Sequence, residues 1–164
     1  MSVTAEISPK VDLDLLVKVY RLMATARAMA IKYDEEKEIA SRYVHSTSRG
    51  HEAIQIAAGL LLKPTDYASL YYRDESILLA LGFSPKELML QLMAKADDPF
   101  TGGRSYYGHP CVRQEGFPTI PHQSSATGMQ AIPATGMAHA IHYLETEELA
   151  DDSLPFVLCS LGDG

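Results

Sequence analysis

The residues with the clearest chemical potential stand in the run Gly162-Asp163-Gly164. They follow the apolar run Phe156 to Cys159, a pattern typical of a buried parallel strand whose carboxyl end opens into a tight turn. In doubly wound sheets, phosphate-bearing ligands and their metal ions bind at that end of the strands. The glycines would let the backbone pass close to a phosphate, and Asp163 would offer an oxygen ligand for Mg²⁺. A GDG turn alone is weak evidence, because such turns are common between strands.

A second candidate is the pair Tyr72-Arg73 within the run YYRD. A guanidinium is a forked cation that suits a diphosphate, and the tyrosine adds a hydroxyl donor. The pair closes an aromatic-rich run, residues 67–72, that predicts a short strand. The alternative for Arg73 is a salt bridge to Asp74 or Glu75.

Two further stretches are candidates for function. Residues 97–125 lack helix or strand periodicity, and a loop of this length in a compact domain is usually functional or disordered. The run SSATGMQ, residues 124–130, precedes a predicted helix. If the strands are parallel, this run, the YYRD run and the GDG run converge on one ligand crevice.

Hydrophobic periodicity predicts the elements that must position these loops. The predicted helices cover residues 12–42, 51–62, 74–81, 84–95 and 132–145, and the predicted strands cover residues 67–72 and 156–159. Ser84, Pro85 and Glu87 form a capping-box pattern at the start of one helix. Pro133 suits the first position of the last helix, and the small residues after it predict close contact with a neighbouring element.

The predicted organisation is a flexible arm, residues 1–10, followed by one unit, residues 11–164. A lone strand with no following helix would leave ladder groups and an apolar face uncovered. We therefore interpret residues 11–164 as the amino-terminal part of a larger domain, truncated at the GDG turn.

Composition limits the classes of partner. The net charge is −7 at pH 7, without a block of basic residues, which argues against nucleic acid and anionic membranes. The two cysteines form no close pair, and Cys159 is expected to be a small buried hydrophobe. A reducing, cytoplasmic location follows as the default. Residues 1–14 do not look like a signal peptide, and no apolar run is long enough to span a bilayer.

Several motifs occur in an order that is specific when they are taken together. They are YRLM at 20–23, RGHEA at 49–53, YYRD at 71–74, GGRSYYGH at 102–109, SSATGMQAIP at 124–133 and GDG at 162–164. In this order they resemble the alpha subunit of the thiamine-diphosphate-dependent decarboxylating component of 2-oxo acid dehydrogenase complexes. The implied fold is α/β, the thiamine-diphosphate-binding fold, with a parallel sheet flanked by helices, and the chain holds its amino-terminal part.

The resemblance also implies which residues contact thiamine diphosphate or its Mg²⁺. Tyr72 and Arg73 match the pair that holds the diphosphate, and Asp163 matches the acidic Mg²⁺ ligand. The other implied cofactor contacts are Ser125 and Thr127 on the aminopyrimidine side, and Gly162 and Gly164 beside the diphosphate.

Two histidines are candidates for positioning a 2-oxo acid. His109 matches a histidine that lies after the Arg of the family's GR motif, and His45 lies in the loop before the second helix. The alternative for each is a histidine that braces its loop through hydrogen bonds to backbone. Met129 stands where K⁺-binding relatives have Thr, and a thioether is a poor K⁺ ligand, which disfavours a K⁺ site.

The activity implied by the resemblance is that of an oxidoreductase. It decarboxylates a 2-oxo acid, pyruvate or a branched-chain one, on thiamine diphosphate and passes the acyl group to a lipoyl acyltransferase. A beta subunit or fused beta half completes the site within an oligomer, so the fragment alone is expected to be inactive. Two alternatives stay open: a transketolase-like or acetoin-cleaving enzyme, and a non-catalytic packing module with the same fold.

Overall fold

The computed structural model describes residues 12–43, 46–149 and 153–162. Residues 1–11, which include the predicted flexible arm, lie outside this part. The described helices and strands are α1 (Leu13–Glu35), α2 (Lys37–Ala40), α3 (Glu52–Leu61), β1 (Tyr67–Ser69), α4 (Glu75–Leu81), α5 (Pro85–Leu92), α6 (Ala131–Thr146) and β2 (Val157–Cys159). Within these ranges, no helix combines the length and the apolar character needed to cross a membrane.

The two strands pair in parallel, as the sequence predicts, with Tyr67 opposite Val157 and Ser69 opposite Cys159. A third segment lies beside β1, because the amide of Ala68 donates to the carbonyl oxygen of Thr119 at 3.0 Å. Helix α6 packs against both strands. The fold is therefore α/β, with a small parallel sheet covered by helices.

The predicted burial of the last strand is wrong. Val157 and Leu158 are half-buried, and Cys159 is exposed. Alternate residues of a strand point to opposite faces, and α6 covers only part of this short strand. Leu158 and Cys159 border an open cleft between β2 and α3. Cys159 is consequently a cleft residue and not a core residue.

Strand β1 is also shorter than its aromatic run predicts. It ends at Ser69, and the chain then turns: the amide of Asp74 donates to the carbonyl oxygen of Tyr71 at 3.0 Å. The amide of Tyr71 in turn donates to the Asp74 carboxylate at 2.9 Å. This turn leads directly into α4, so Tyr72 and Arg73 lie on a turn at the carboxyl end of the strand.

Helix boundaries follow their local signals with a few differences. Asp12 caps α1 by accepting from the amide of Asp14 at 3.0 Å, and the capping box between Ser84 and Glu87 is present at α5. The predicted helix 12–42 is interrupted at Glu36, which separates α1 from α2. The amino-terminal half of α1 is mostly exposed, and its buried face lies in the second half.

Helix α6 differs from its prediction at two points. Pro133 is its third residue and not its first. The predicted close contact of its small residues is found only at Ala134, which is 7% exposed, whereas Gly136 is exposed and a Cβ there would meet nothing within 4 Å.

The long loop between α5 and α6 is folded onto the core by its aromatic residues. Phe83 stacks on Phe117 with ring centroids 4.7 Å apart, and it meets Phe100 edge-on at 4.9 Å. Val112 and Ile120, both buried, form an antiparallel bridge. The segment predicted to lack regular structure is therefore irregular but packed.

Helices α3 and α4 pack closely because Gly59 lets the two backbones approach. A Cβ on Gly59 would lie 2.7 Å from both the Ala80 Cβ and the carbonyl oxygen of Ile77. That spacing leaves no room for a methyl group, since one contacting atom is backbone. The contact matters for function because both helices border the cleft.

Substituting Gly59→Ala is expected to lower the free energy of unfolding by about 1–3 kcal/mol through overpacking. Urea unfolding of the full-length protein measures it. The matched control is Gly136→Ala in α6, where the added methyl group has space and helix propensity should raise stability by roughly 0.5–1 kcal/mol. A wild-type unfolding midpoint for Gly59→Ala would contradict the packing described here.

Candidate functional site

The cleft lies at the carboxyl ends of the two strands. It has a volume of about 330 Å³ and is bordered by α3, by the turn after β1 and by the residues that follow β2. Arg73 and Asp74 line it from the turn, and Ser160 and Leu161 line it from the end of β2. Parallel sheets bind ligands at this edge, and the volume lies within the usual range for small-molecule sites.

Arg73 is held in the cleft by aromatic rings. Its guanidinium carbon lies 5.6 Å from the centroid of the Tyr71 ring and 6.0 Å from that of the Tyr72 ring. Its Nε is buried and has no hydrogen-bond partner in the described part of the chain. The salt bridge to Asp74 or Glu75 that the sequence left open is absent among the described residues. The unsatisfied donor suits an anionic ligand.

Tyr72 stays a hydrogen-bond donor at neutral pH. Its ring lies 4.0 Å from that of Tyr71, and the hydrogen bond between these two tyrosines is the main cause that raises the pKa of Tyr72. The hydroxyl therefore remains protonated beside Arg73.

Tyr71 joins the predicted pieces of the site. It is 5% exposed, and its hydroxyl lies 3.5 Å from the Thr127 hydroxyl. A Cβ placed on Gly162 would lie 3.2 Å from the same hydroxyl oxygen. Arg73, Thr127 and Gly162 come from three separate segments, so the structure brings them together around one buried tyrosine.

The loop that carries Thr127 is anchored to the last residue of β1. The Ser69 hydroxyl lies 2.8 Å from the carbonyl oxygen of Gln130 and 3.0 Å from the side-chain oxygen of Gln123. The side-chain amide of Gln130 donates to the carbonyl oxygen of Ser124 at 3.2 Å. Ser125, predicted as a cofactor contact, is exposed on this loop.

Three of the predicted site residues lie outside the described part of the chain. They are His45, Asp163 and Gly164. Gly162, the last described residue, packs on Tyr71 at the edge of the cleft. The position of its neighbour Asp163 as a Mg²⁺ ligand remains a prediction. Among the described residues, no group of three or more His, Cys, Asp or Glu could hold a metal ion.

His109 adopts the bracing geometry that the sequence left open as its alternative. It is 1% exposed, and its Nδ1 lies 2.7 Å from the carbonyl oxygen of Tyr107. The centroid of its ring lies 6.2 Å from that of the Tyr72 ring. This geometry favours support of the 102–109 loop over contact with a substrate.

A buried acid lies behind Tyr72. The Tyr33 hydroxyl donates to one Glu75 carboxylate oxygen at 2.9 Å, and the other oxygen is buried without a partner among the described residues. Burial raises the pKa of Glu75 to about 7 and also raises the pKa of Tyr33. A cavity of about 20 Å³ beside them is bordered by Tyr72 and Ser46, and it has room for one water molecule.

The pKa of Glu75 predicts a pH dependence of stability. Its ordinary value is 4.5 and its folded value is about 7, so between these values the folded state binds the proton more tightly. Stability is full below the lower value and is lost as the pH rises through the upper one, by about 3 kcal/mol in total.

A Glu75→Gln variant should lack this loss, because an amide does not titrate. Urea unfolding of the full-length protein should show that the variant gains on the wild type as the pH rises from about 5 to about 8. The exposed Glu115→Gln variant is the control and should follow the wild type. Parallel curves for Glu75→Gln and the wild type would contradict the raised pKa of the buried Glu75 carboxyl group.

Sequence reasoning missed two residues of this site. Tyr71 stands in the YYRD run, but only its burial and its contact with Thr127 mark its role. Gln55 lies in the middle of α3, and its side chain donates to the turn at Arg73 and Asp74. The one available signal was a glutamine among the apolar residues of a helix face.

Comparison with known proteins places the chain among dehydrogenases. Residues 18–164 match the model of the family described as the dehydrogenase E1 component. The chain is 40% identical over 99 residues to the 2-oxoisovalerate dehydrogenase subunit alpha of Bacillus subtilis. This alignment covers 57% of this chain and 28% of that protein.

More distant relatives carry the same description. The mitochondrial subunit alpha of 2-oxoisovalerate dehydrogenase from Caenorhabditis elegans is 29% identical over 133 residues, covering 80% of this chain and 30% of the relative. The mitochondrial subunit alpha 1 of 2-oxoisovalerate dehydrogenase from Arabidopsis thaliana is 30% identical over 127 residues, covering 77% of this chain and 26% of the relative. The chain thus spans less than a third of the length of these curated relatives.

Proposed function

Because the chain belongs to the dehydrogenase E1 component family, we propose that it forms part of an alpha subunit that binds thiamine diphosphate and Mg²⁺ to decarboxylate a 2-oxo acid. The family depends on thiamine diphosphate. The observation that carries the proposal is the buried Nε of Arg73, which has no hydrogen-bond partner among the described residues and belongs to a side chain that lines a cleft at the carboxyl ends of two parallel strands.

The residues of the cleft fit a diphosphate. Arg73 offers a buried donor that lacks a partner among the described residues, and Tyr72 keeps its proton. The planar guanidinium matches the geometry of phosphate oxygens, and a neutral hydroxyl can donate a further hydrogen bond to them. Asp163 directly follows Gly162 in the chain and would supply a carboxylate oxygen for Mg²⁺.

In the proposed reaction, the protein positions the cofactor and the substrate, and the cofactor supplies the chemistry. Bound thiamine diphosphate supplies the carbanion nucleophile and the electron sink that decarboxylation requires. Arg73 and Tyr72 orient the diphosphate, and Tyr71 fixes the distance between the turn, Thr127 and Gly162. Ile54 and Leu158 border the cleft with apolar surface, which limits water near the reacting groups.

The proposed substrate and partners follow from the named relatives. We assign a branched-chain 2-oxo acid as the first candidate, because the relatives are described as 2-oxoisovalerate dehydrogenases, and pyruvate as the second. A beta subunit or fused beta half would complete the pocket in an oligomer, and a lipoyl acyltransferase would take the acyl group. A cytoplasmic location remains part of the proposal.

The proposal is tested with the full-length protein and its beta half. Release of CO₂ from 2-oxoisovalerate and from pyruvate is measured with an artificial electron acceptor, with and without thiamine diphosphate and Mg²⁺. We expect cofactor-dependent release and a higher kcat/KM for the branched substrate. Ketol transfer between sugar phosphates in place of this activity would favour a transketolase-like enzyme. Failure to bind the cofactor at all would favour a packing module.

A further inference from the structure

Gln55 reaches from α3 to the turn that carries Arg73. Its side-chain nitrogen donates to the carbonyl oxygen of Arg73 at 3.2 Å and to a carboxylate oxygen of Asp74 at 3.1 Å. The residue is 7% exposed. One amide group therefore uses both of its donor hydrogens on the segment that holds the proposed diphosphate ligand.

Asp74 accepts a hydrogen bond from the backbone of the same turn. It is 4% exposed, and its second carboxylate oxygen accepts from the amide of Tyr71 at 2.9 Å. Burial raises the pKa of Asp74, and this effect is opposed by hydrogen bonds from Tyr71 and Ser160 and by the charges of Arg73 and His51. Gln55 therefore donates to one oxygen of this buried carboxylate while Tyr71 donates to the other.

Helix α3 packs closely on α4 one turn away from Gln55. Gly59 follows it by one turn of α3, and its contact with Ala80 and Ile77 presses α3 onto α4. Since α4 begins directly after the turn, α3 and α4 hold the turn from both sides. The side chain of Gln55 thus transfers the fixed position of a helix to the backbone of Arg73.

We infer that Gln55 is a positioning residue that fixes the Arg73 backbone, and with it the guanidinium, for a diphosphate ligand. This inference rests on the proposed function. Gln55 itself need not touch the ligand, because its donors are used on Arg73 and Asp74. Its loss should loosen the turn while the guanidinium and its charge remain.

The test is a calorimetric titration of the full-length protein, assembled with its beta half, with thiamine diphosphate in excess Mg²⁺. Gln55→Met keeps the length of the side chain but removes both donors, and we expect the dissociation constant to rise by about tenfold. At saturating cofactor, kcat should stay within about twofold of the wild type, because the guanidinium is still present. The exposed Gln114→Met variant is the matched control and should bind like the wild type.

A pH series separates positioning from a general loss of stability. In Gln55→Met, Asp74 loses a hydrogen bond that stabilises its ionised form, so its pKa should rise further. As the pH is lowered, cofactor affinity should therefore begin to fall at a higher pH than in the wild type. A purely structural glutamine would not move this profile. Should Gln55→Met unfold at the assay temperature, Gln55→Asn replaces it, because it keeps the amide but shortens the side chain by one methylene group, and we expect the dissociation constant to rise there too.

The outcomes distinguish the inference from the function it rests on. Wild-type affinity and an unchanged pH profile in Gln55→Met, with cofactor binding intact in the wild type, would overturn the positioning role alone. Absence of binding in the wild type would overturn both. A kcat that falls by the same factor as the dissociation constant rises would assign Gln55 to the chemistry instead.

Discussion

Replacing Arg73 with alanine is expected to raise the dissociation constant for thiamine diphosphate by about 100-fold, since a charge-assisted hydrogen bond to an ionised group contributes about 1.5–3 kcal/mol. The effect is large because, among the described residues, Arg73 is the one arginine or lysine that lines the cleft. Arg73→Lys keeps the charge but loses the planar fork, so its loss should be smaller, about tenfold. Isothermal titration of the full-length protein gives both values.

The control for this prediction is Arg113→Ala, which removes an exposed arginine from the long loop. It should bind the cofactor like the wild type. The affinity of the wild type for the cofactor should also fall as ionic strength rises, because salt screens the attraction between Arg73 and the diphosphate. An Arg73→Ala protein that binds with wild-type affinity would show that the diphosphate lies elsewhere.

The second large effect is expected at Asp163. Asp163→Asn would remove the carboxylate proposed to hold Mg²⁺, and a metal that stabilises phosphate charge contributes several kcal/mol, so activity should fall by about 100-fold or more. Raising Mg²⁺ should restore part of the activity, because the amide oxygen remains a weak ligand. The measurement is the Mg²⁺ dependence of CO₂ release by the full-length protein with its beta half.

Asp97→Asn provides the matched control, because Asp97 is an exposed acid on the loop after α5. Its Mg²⁺ dependence should equal that of the wild type. If Asp163→Asn kept both the activity and the wild-type Mg²⁺ requirement, the metal would have to be held by other residues.

The order of elements could be predicted from the sequence because its signals are local. Ser84 and Glu87 mark the start of a helix in the sequence, and their capping box is present at that position. The parallel pairing of the two strands follows from two short apolar runs joined by helices. The position of Arg73 at the cleft follows from the same topology.

The contacts that organise the site could not be predicted in this way. Gln55 and Arg73 meet across a helix and a turn, and Tyr71 meets Thr127 across more than fifty positions. Periodicity reports which face of an element is buried, but not which distant residue lies opposite. The burial of His109 was undecidable for the same reason, because a loop histidine braces or reacts according to its neighbours.

Cys159 shows the limit of an apolar run as evidence. A short run of this kind is consistent with a strand buried on both faces, but one side of this strand borders the ligand cleft. Burial requires cover from other elements, and the cover is a property of the whole fold.

The central claim is that Arg73 and Asp163 grip the same diphosphate and its Mg²⁺. A crystal structure of the full-length protein grown with thiamine diphosphate and Mg²⁺ tests it most directly. The diphosphate should lie within hydrogen-bond distance of the Arg73 guanidinium, with Mg²⁺ coordinated by Asp163, in the cleft between α3 and the end of β2. A diphosphate bound elsewhere, or Arg73 and Asp163 on different sides of the molecule, would contradict it.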